Sequence, residues 1–296
     1  MRFNQLSFKD RALFDKFLSY KQHSLAAYAF QSIFIWKRLY KISWAIIGRQ
    51  LCVFFKDRVG VFMYLPPLGR CFDADVVRRC FEIMDSYNKN RLISRIENVE
   101  KAEAAPYKEL GFEDISSGRD YVCKRSALIG LSGNLFKSKR AAINYFIRNY
   151  KFEYLPYKTS DRSECVELFK LWVSERKLNN SDSIYQGLLE DNFTAFQVVL
   201  GSYNKLGFIG RVIKTGGEIK AVTVGYPLGR KTFVVLFEVC DLRFKGIAQY
   251  IFREFCKEQD YPDINIMDDS GLDSLKKVKL SYRPYKIMDS FVIRNE

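Results

Sequence analysis

Chemistry in this 296-residue chain must come from carboxylates, lysines and tyrosines, because it holds a single histidine, His23. That excludes a serine–histidine–aspartate triad away from that one position, a two-histidine zinc site and a histidine relay. No cluster has metal-ligand spacing, so no metal is expected. His23 lies in Gln22-His23-Ser24 between two helical stretches, where a turn or capping role fits. Glu238 stands late in an apolar run, where a carboxylate is placed to take a proton. Asp268 and Asp269 end another run in Met267-Asp268-Asp269-Ser270-Gly271. Either can cap the helix that follows, or one of them, Asp269 in the site assigned below, orients an amine or a ribose hydroxyl. Lys276, Lys277 and Lys279 come next, with Tyr282 just beyond. Lys279 is suited to polarise an ester carbonyl or to bind a phosphate. Lys277 reads better as a solvated face.

Two further segments suit anions. Arg243-Phe244-Lys245-Gly246-Ile247-Ala248 follows a strand-like run and opens a helix. Backbone N–H groups at such a junction can cradle a pyrophosphate, with Arg243, Gly246 and Ala248 as its marks. The competing reading is a helix start with a permissive glycine. In residues 131–150, Lys137, Arg140, Asn144 and Arg148 recur at 3-4-4 spacing on one face. Ile143, Phe146, Ile147 and Tyr150 form an apolar face on the same segment. A helix would fix Lys137, Lys139, Arg140 and Arg148 for phosphate binding, unless the face is only solvated.

The elements that must hold these residues follow from periodicity. The second half reads as helices at 160–177 and 182–193, then strands at 207–214, 218–225 and 232–239. A helix at 246–258, a strand at 263–267, a helix at 271–281 and a strand at 286–293 complete it. Ser160 and Asp161 are placed to cap the first of these helices, and Thr215-Gly216-Gly217 marks a hairpin. The first half repeats the order: helices 8–20 and 24–36, strands 43–47, 50–56 and 59–64, helix 73–88, strand 92–98, helix 100–110 and strand 121–125. The fold class expected is α/β (α+β), with mixed central sheets flanked by helices. Domains are expected at 1–130 and 151–296, with 131–150 a basic connecting helix.

Hydrophobic residues make up 48% of the chain and charged residues 28%, a folding composition. The seven cysteines form no C-x-x-C pair, which suits buried, reduced thiols in a cytoplasmic protein. The formal net charge is +14 and is uneven. Residues 1–150 carry 26 Lys and Arg against 14 Asp and Glu; residues 151–296 carry 22 against 20. A basic half attracts RNA, anionic lipid or phosphorylated ligands. No run is long and apolar enough for a transmembrane helix, and the first residues lack a signal-peptide core. Membrane contact is expected only from the surface.

The element order matches the acetyltransferase-like GNAT fold, whose central strands splay to leave a cleft. In that fold a loop of the 243–248 type holds coenzyme A. Several segments together resemble the phosphatidylglycerol lysyltransferase C-terminal domain family in its stand-alone form. They are Tyr64-Leu-Pro-Pro-Leu-Gly69, Asp120-Tyr121 with the run to Leu128, Leu131-Ser-Gly133, Lys137-Ser-Lys-Arg140, Asp268-Asp-Ser-Gly271, Leu275, Lys279, Tyr282 and Pro284. The resemblance implies two tandem GNAT domains and transfer of an aminoacyl group from aminoacyl-tRNA to a lipid hydroxyl, as in characterised members, or to an amine, as in related peptidyltransferases of cell-wall synthesis. It departs from the family at Ala141, where Asn is usual, Cys123, where an aromatic is common, and Lys276, where Arg is usual.

The resulting expectation is a cytoplasmic aminoacyltransferase, peripheral to the inner face of the membrane where it meets anionic lipid. Glu238, Asp269, Lys279 and Tyr282 form its site, with Lys276 beside Lys279, and no cofactor is required. An acyl-coenzyme A-dependent N-acyltransferase using the 243–248 loop is one alternative. A non-catalytic RNA- or lipid-binding module is the other.

Overall fold

A computed structural model describes residues 3–179 and 181–295. The strands run β1 Asn4–Gln5, β2 Lys41–Ile47, β3 Gln50–Lys56, β4 Val61–Met63, β5 Arg95–Glu100, β6 Glu113–Lys124, β7 Glu153–Pro156, β8 Ile209–Thr215, β9 Glu218–Leu228, β10 Thr232–Cys240, β11 Asp263–Asn265 and β12 Lys286–Arg294. The helices run α1 Arg11–Leu18, α2 Phe30–Phe34, α3 Ala74–Tyr87, α4 Ala105–Glu109, α5 Arg125–Gly130, α6 Lys137–Asn149, α7 Arg162–Asn179, α8 Ser183–Gly201, α9 Tyr203–Leu206, α10 Ile247–Glu258 and α11 Asp273–Leu280. Contacts divide the chain into two units. Unit 1 holds residues 1–121, 268–273 and 287–296, and unit 2 holds 122–267 and 274–286.

In unit 1, β1 pairs with β2, β2 with β3 and β3 with β4, all antiparallel. Helix α3 then crosses over and returns the chain as β5, parallel to β4. Asp73 caps α3 by accepting from the Asp75 and Val76 amides. Val76, Val77, Cys80, Phe81 and Met84 fall on one helical stripe and pack on Ala45, Cys52, Phe54 and Met63 of the sheet. The helix expected over 24–36 shrinks to five residues. The amides of Ser24 and Leu25 donate to Glu100, and that of Ala26 donates to Asp120.

Unit 2 repeats the pattern. Strands β7, β8, β9 and β10 pair antiparallel in turn, helix α10 crosses over, and β11 lies parallel to β10. The three expected strands at 207–214, 218–225 and 232–239 therefore share one antiparallel sheet. Gly216 and Gly217 both have positive φ, +61° and +84°, as a tight hairpin turn requires. Pro227, expected in a turn, lies in β9 opposite Phe233. Strand β8 has already ended opposite Gly225, so the missing proline N–H breaks no ladder there.

The closing strands differ from expectation. The run at 286–293 reads as the last strand of the second half, yet β12 pairs antiparallel with β5 in unit 1, Ser290 opposite Glu100. The run at 121–125 reads as the last strand of the first half. Its residues 122–124 instead pair with β11 in unit 2, Cys123 opposite Ile264. Periodicity identifies a strand but not its neighbour.

Candidate active site

A bulge in β10 decides which side chains meet. The β9–β10 register slips between Val235 and Phe237, so two residues of β10 advance against one of β9. Strict alternation would put Phe233 and Phe237 on one face. Instead Phe233 packs on Phe255 of α10, ring centroids 5.5 Å apart, while Phe237 packs on Phe169 and Phe196 of α7 and α8. The slip turns Glu238 to the α10 face, beside Cys256.

There Glu238 is partly buried. Desolvation pushes its carboxyl up to about 7, against the pull of Lys139 and Lys279. Lys139 comes from α6, with Nζ 3.9 Å from the Tyr282 ring centroid. Burial lowers the Lys139 ammonium, and Glu238 opposes that shift. Lys279, near the end of α11, donates to the Ile266 carbonyl at the end of the β11 run. Tyr282 is buried, its ring 4.6 Å from Phe252. Its phenol is raised well above the usual range by burial and then by Glu238, so it stays neutral. The Cys123 thiol is pushed up to about 12 by burial, with Lys279 opposing, and stays a thiol. Unit 2 thus sets one titratable carboxyl between two ammonium groups and a neutral phenol.

Of the four expected catalytic residues, unit 2 brings together Glu238, Lys279 and Tyr282. Asp269 belongs with unit 1. It is buried, and it accepts from the Tyr121 hydroxyl and the Gly271 amide. Asp268 accepts from the Ser270 amide. Both aspartates close turns, and α11 starts later than expected, at Asp273. Ser270 and Gly271 carry positive φ in that tight segment.

The basic helix forms over residues 137–149, but its cations separate. Lys137 and Arg148 are exposed. Lys139 turns inward, as described. Arg140 Nη1 donates to the carbonyls of Leu131 and Gly133 and holds that turn. Ile147, expected on the apolar face, is exposed, while Ile143 and Phe146 are fully buried.

In the 243–248 loop, Arg243 and Gly246 have neighbours of their own. Arg243 forks onto buried Asp241, Nε to Oδ1 at 2.8 Å and Nη2 to Oδ2 at 2.6 Å. Gly246 has φ +91°, and a Cβ there would lie 2.0 Å from the Ala142 carbonyl oxygen. The α6 backbone therefore packs directly against Gly246. Ala248 packs beside the Phe146, Ile247 and Ile251 cluster.

Sequence reasoning missed Lys139 as a member of the Glu238 cluster and Tyr121 as the partner of Asp269. The two-residue offset of Lys139 from Lys137 was the available signal, since it leaves the 3-4-4 face. Among the described residues no His, Cys, Asp and Glu cluster suits a metal ion, and no helix is long and apolar enough to cross a membrane.

Comparison with known proteins places this geometry. A conserved protein of unknown function from Bacteroides thetaiotaomicron is 25% identical, with 100% of each chain covered and a TM-score of 0.87. L-PGS from Bacillus licheniformis is 19% identical, with 97% of this chain and 92% of that one covered and a TM-score of 0.61. A tandem GNAT protein from the clavulanic acid biosynthesis pathway is 9% identical, covers 98% and 97%, and has a TM-score of 0.56, which bears on fold alone. No curated protein matches the chain. The family model for the phosphatidylglycerol lysyltransferase C-terminal domain matches residues 20–294. With an α/β fold shared with tandem GNAT proteins and that match over nearly its whole length, the chain belongs to the phosphatidylglycerol lysyltransferase C-terminal family.

Proposed function

We propose that the Glu238 cluster transfers an aminoacyl group from aminoacyl-tRNA to a lipid hydroxyl or an amine. The observation that carries the reading is Glu238 itself, a carboxyl raised to about 7 with Lys139 and Lys279 beside it. A general base works best when its pKa lies near the working pH. The ester of aminoacyl-tRNA is already activated, so orientation and charge stabilisation are the main demands. Glu238 takes the proton from the acceptor O–H or N–H as that atom attacks the ester carbonyl. Lys279 faces the oxyanion of the tetrahedral intermediate. Collapse breaks the bond to the ribose oxygen, which takes the proton back from Glu238. Asp269 stays outside this scheme, because it is already engaged by Tyr121 and Gly271.

Purified chain, aminoacyl-tRNA carrying a radiolabelled amino acid, and phosphatidylglycerol vesicles or a primary amine test the reading together. Label should pass to the acceptor and should fail to pass with Glu238→Gln. Acetylation from acetyl-coenzyme A, with no transfer from any aminoacyl-tRNA in a complete mixture, would overturn it.

A further inference from the structure

Unit 1 concentrates exposed apolar side chains and cations at one corner. Among its exposed large hydrophobic residues, Val59 (70%), Leu92 (57%) and Tyr87 (55%) are the most exposed. They come from three separate segments. Val59 tips the β3–β4 hairpin, where Asp57 Oδ1 accepts from the Val59 and Gly60 amides. Tyr87 ends α3, and Leu92 lies in the short 3-10 turn Arg91–Ile93.

One buried side chain holds the three together. Asn88 accepts from the Val61 amide at 2.7 Å and donates to the Val61 carbonyl at 2.7 Å and to Ser94 Oγ at 2.9 Å. Gly60 sits so close that a Cβ there would lie 2.3 Å from Asn88 Oδ1 and 2.8 Å from Ile93 Cγ2. The hairpin, the helix end and the 3-10 turn are therefore one fixed surface. A lone exposed apolar side chain is ordinary, but three held on one fixed surface mark an interaction site.

Cations ring this surface. Lys41 and Lys56 are directly opposite in the β2–β3 ladder, a like-charge pair that an isolated sheet disfavours. Lys56 Nζ lies 5.0 Å from the Tyr87 ring centroid. Arg58 and Lys89 flank Val59 and Tyr87 in sequence and are exposed. Arg91 reaches Asp85 only at 4.0 Å. Among the described residues no carboxylate pairs with Lys41, Lys56, Arg58 or Lys89, and Asp57 is committed to its own turn.

We propose that this corner of unit 1 docks on an anionic bilayer, Val59, Leu92 and Tyr87 entering the headgroup boundary while Lys41, Lys56, Arg58, Lys89 and Arg91 meet lipid phosphates. The combination selects a membrane over RNA. Phosphate contacts explain the cations in either case, but an RNA backbone gives an exposed valine and leucine nothing to bury against. The inference is independent of the reading of the Glu238 site, since docking needs no chemistry in unit 2.

The test is co-sedimentation with vesicles of phosphatidylcholine alone, or with phosphatidylglycerol at about one lipid in three, beside a titration with uncharged tRNA. The chain should sediment with the anionic vesicles and not with the neutral ones. Lys56→Glu with Arg58→Glu should weaken that binding at least about tenfold. Val59→Ser with Leu92→Ser should weaken it about tenfold as well and should leave tRNA binding unchanged. Circular dichroism melts of both double variants check that the fold is kept, and the exposure of all four positions makes that the expected result. Absence of anionic-vesicle binding overturns the proposal. So does vesicle binding that ignores the Val59 and Leu92 changes, or tRNA binding lost with the charge reversal while vesicle binding persists.

Discussion

Glu238 in unit 2 and Glu100 in unit 1 are both carboxylates withdrawn from water, and they end in opposite states. Burial would raise Glu100, but hydrogen bonds from His23 and from the Ser24 and Leu25 amides outweigh it and hold it below the usual carboxylate range. Among the described residues the Glu238 carboxyl accepts no hydrogen bond; desolvation wins over two nearby ammonium groups and raises it to about 7. His23 stacks on Tyr28, ring centroids 3.9 Å apart, which completes a fully partnered Glu100. The difference teaches that a buried charge alone does not mark a reactive group. A carboxylate saturated by fixed donors organises a turn, and one flanked by cations at a distance keeps a proton to exchange.

The largest effect should come from breaking the reactive member. Glu238→Gln should reduce aminoacyl transfer about 10²- to 10⁴-fold with an unchanged circular dichroism spectrum. The wild-type rate should rise with pH through about 7 as Glu238 deprotonates. Stability should move the other way. A carboxyl raised in the folded state contributes stability below its unfolded pKa and loses it as pH rises through the folded one. The Tm of Glu238→Gln should therefore gain on wild type between pH 5 and 8, by about 3 °C or more.

Next in size is the notch that seats α6. Gly246→Ala demands a left-handed φ from a residue with a Cβ and drives that Cβ into the Ala142 carbonyl. It should cost about 3 kcal/mol or more, read from urea denaturation. It should also lower transfer by displacing Lys139. A stable, active Gly246→Ala protein would mean that α6 does not rely on that glycine.

Glu100→Gln sharpens the other side of the comparison. It should destabilise by about 2 kcal/mol at neutral pH, with little effect on transfer chemistry. Because the Glu100 pKa is lowered, its contribution is present above the unfolded value and fades as pH falls through the folded one. The gap between variant and wild-type melts should therefore close below about pH 4. A gap that persists in acid would count against the ionised Glu100.

The smallest effects belong to the cations of α6, and they separate two roles. Lys139→Met should move the pH–rate midpoint upward by about half a unit, because a cation that favours ionised Glu238 is removed, with Lys139→Arg restoring much of it. Lys137→Ala with Arg148→Ala should leave the midpoint alone. If these exposed residues contact tRNA, that change should lower the salt slope of tRNA binding by about 1 to 2. An unchanged slope assigns them to solvent.

Much of this was legible in the residues. Alternation and turn chemistry placed β8, β9 and β10 within two or three residues at most ends, because each depends on local backbone preference. The paired glycines at 216 and 217 are equally local. The family was legible because several short segments, from Tyr64-Leu-Pro-Pro-Leu-Gly69 to Asp268-Asp-Ser-Gly271, resemble it in order along the chain. Glu238, Lys279 and Tyr282 could be named from a strand end and from the last turn of a helix.

What only the tertiary structure decided is who meets whom. Strands β6 and β12 carry no local mark of which sheet they close, and the pairing sends residues 122–124 and β12 to the units that sequence order would not choose. Asp269, adjacent to Asp268 in sequence, accepts from the Tyr121 hydroxyl, a partner 148 residues away. The bulge in β10 rotates Glu238 to the face of α10, and Gly246 lets α6 approach closely enough to bring in Lys139. The sequence determines elements because backbone preferences and periodicity act over a few residues. It leaves the site open because a pKa near 7 depends on which side chains, distant in sequence, exclude water from one carboxyl.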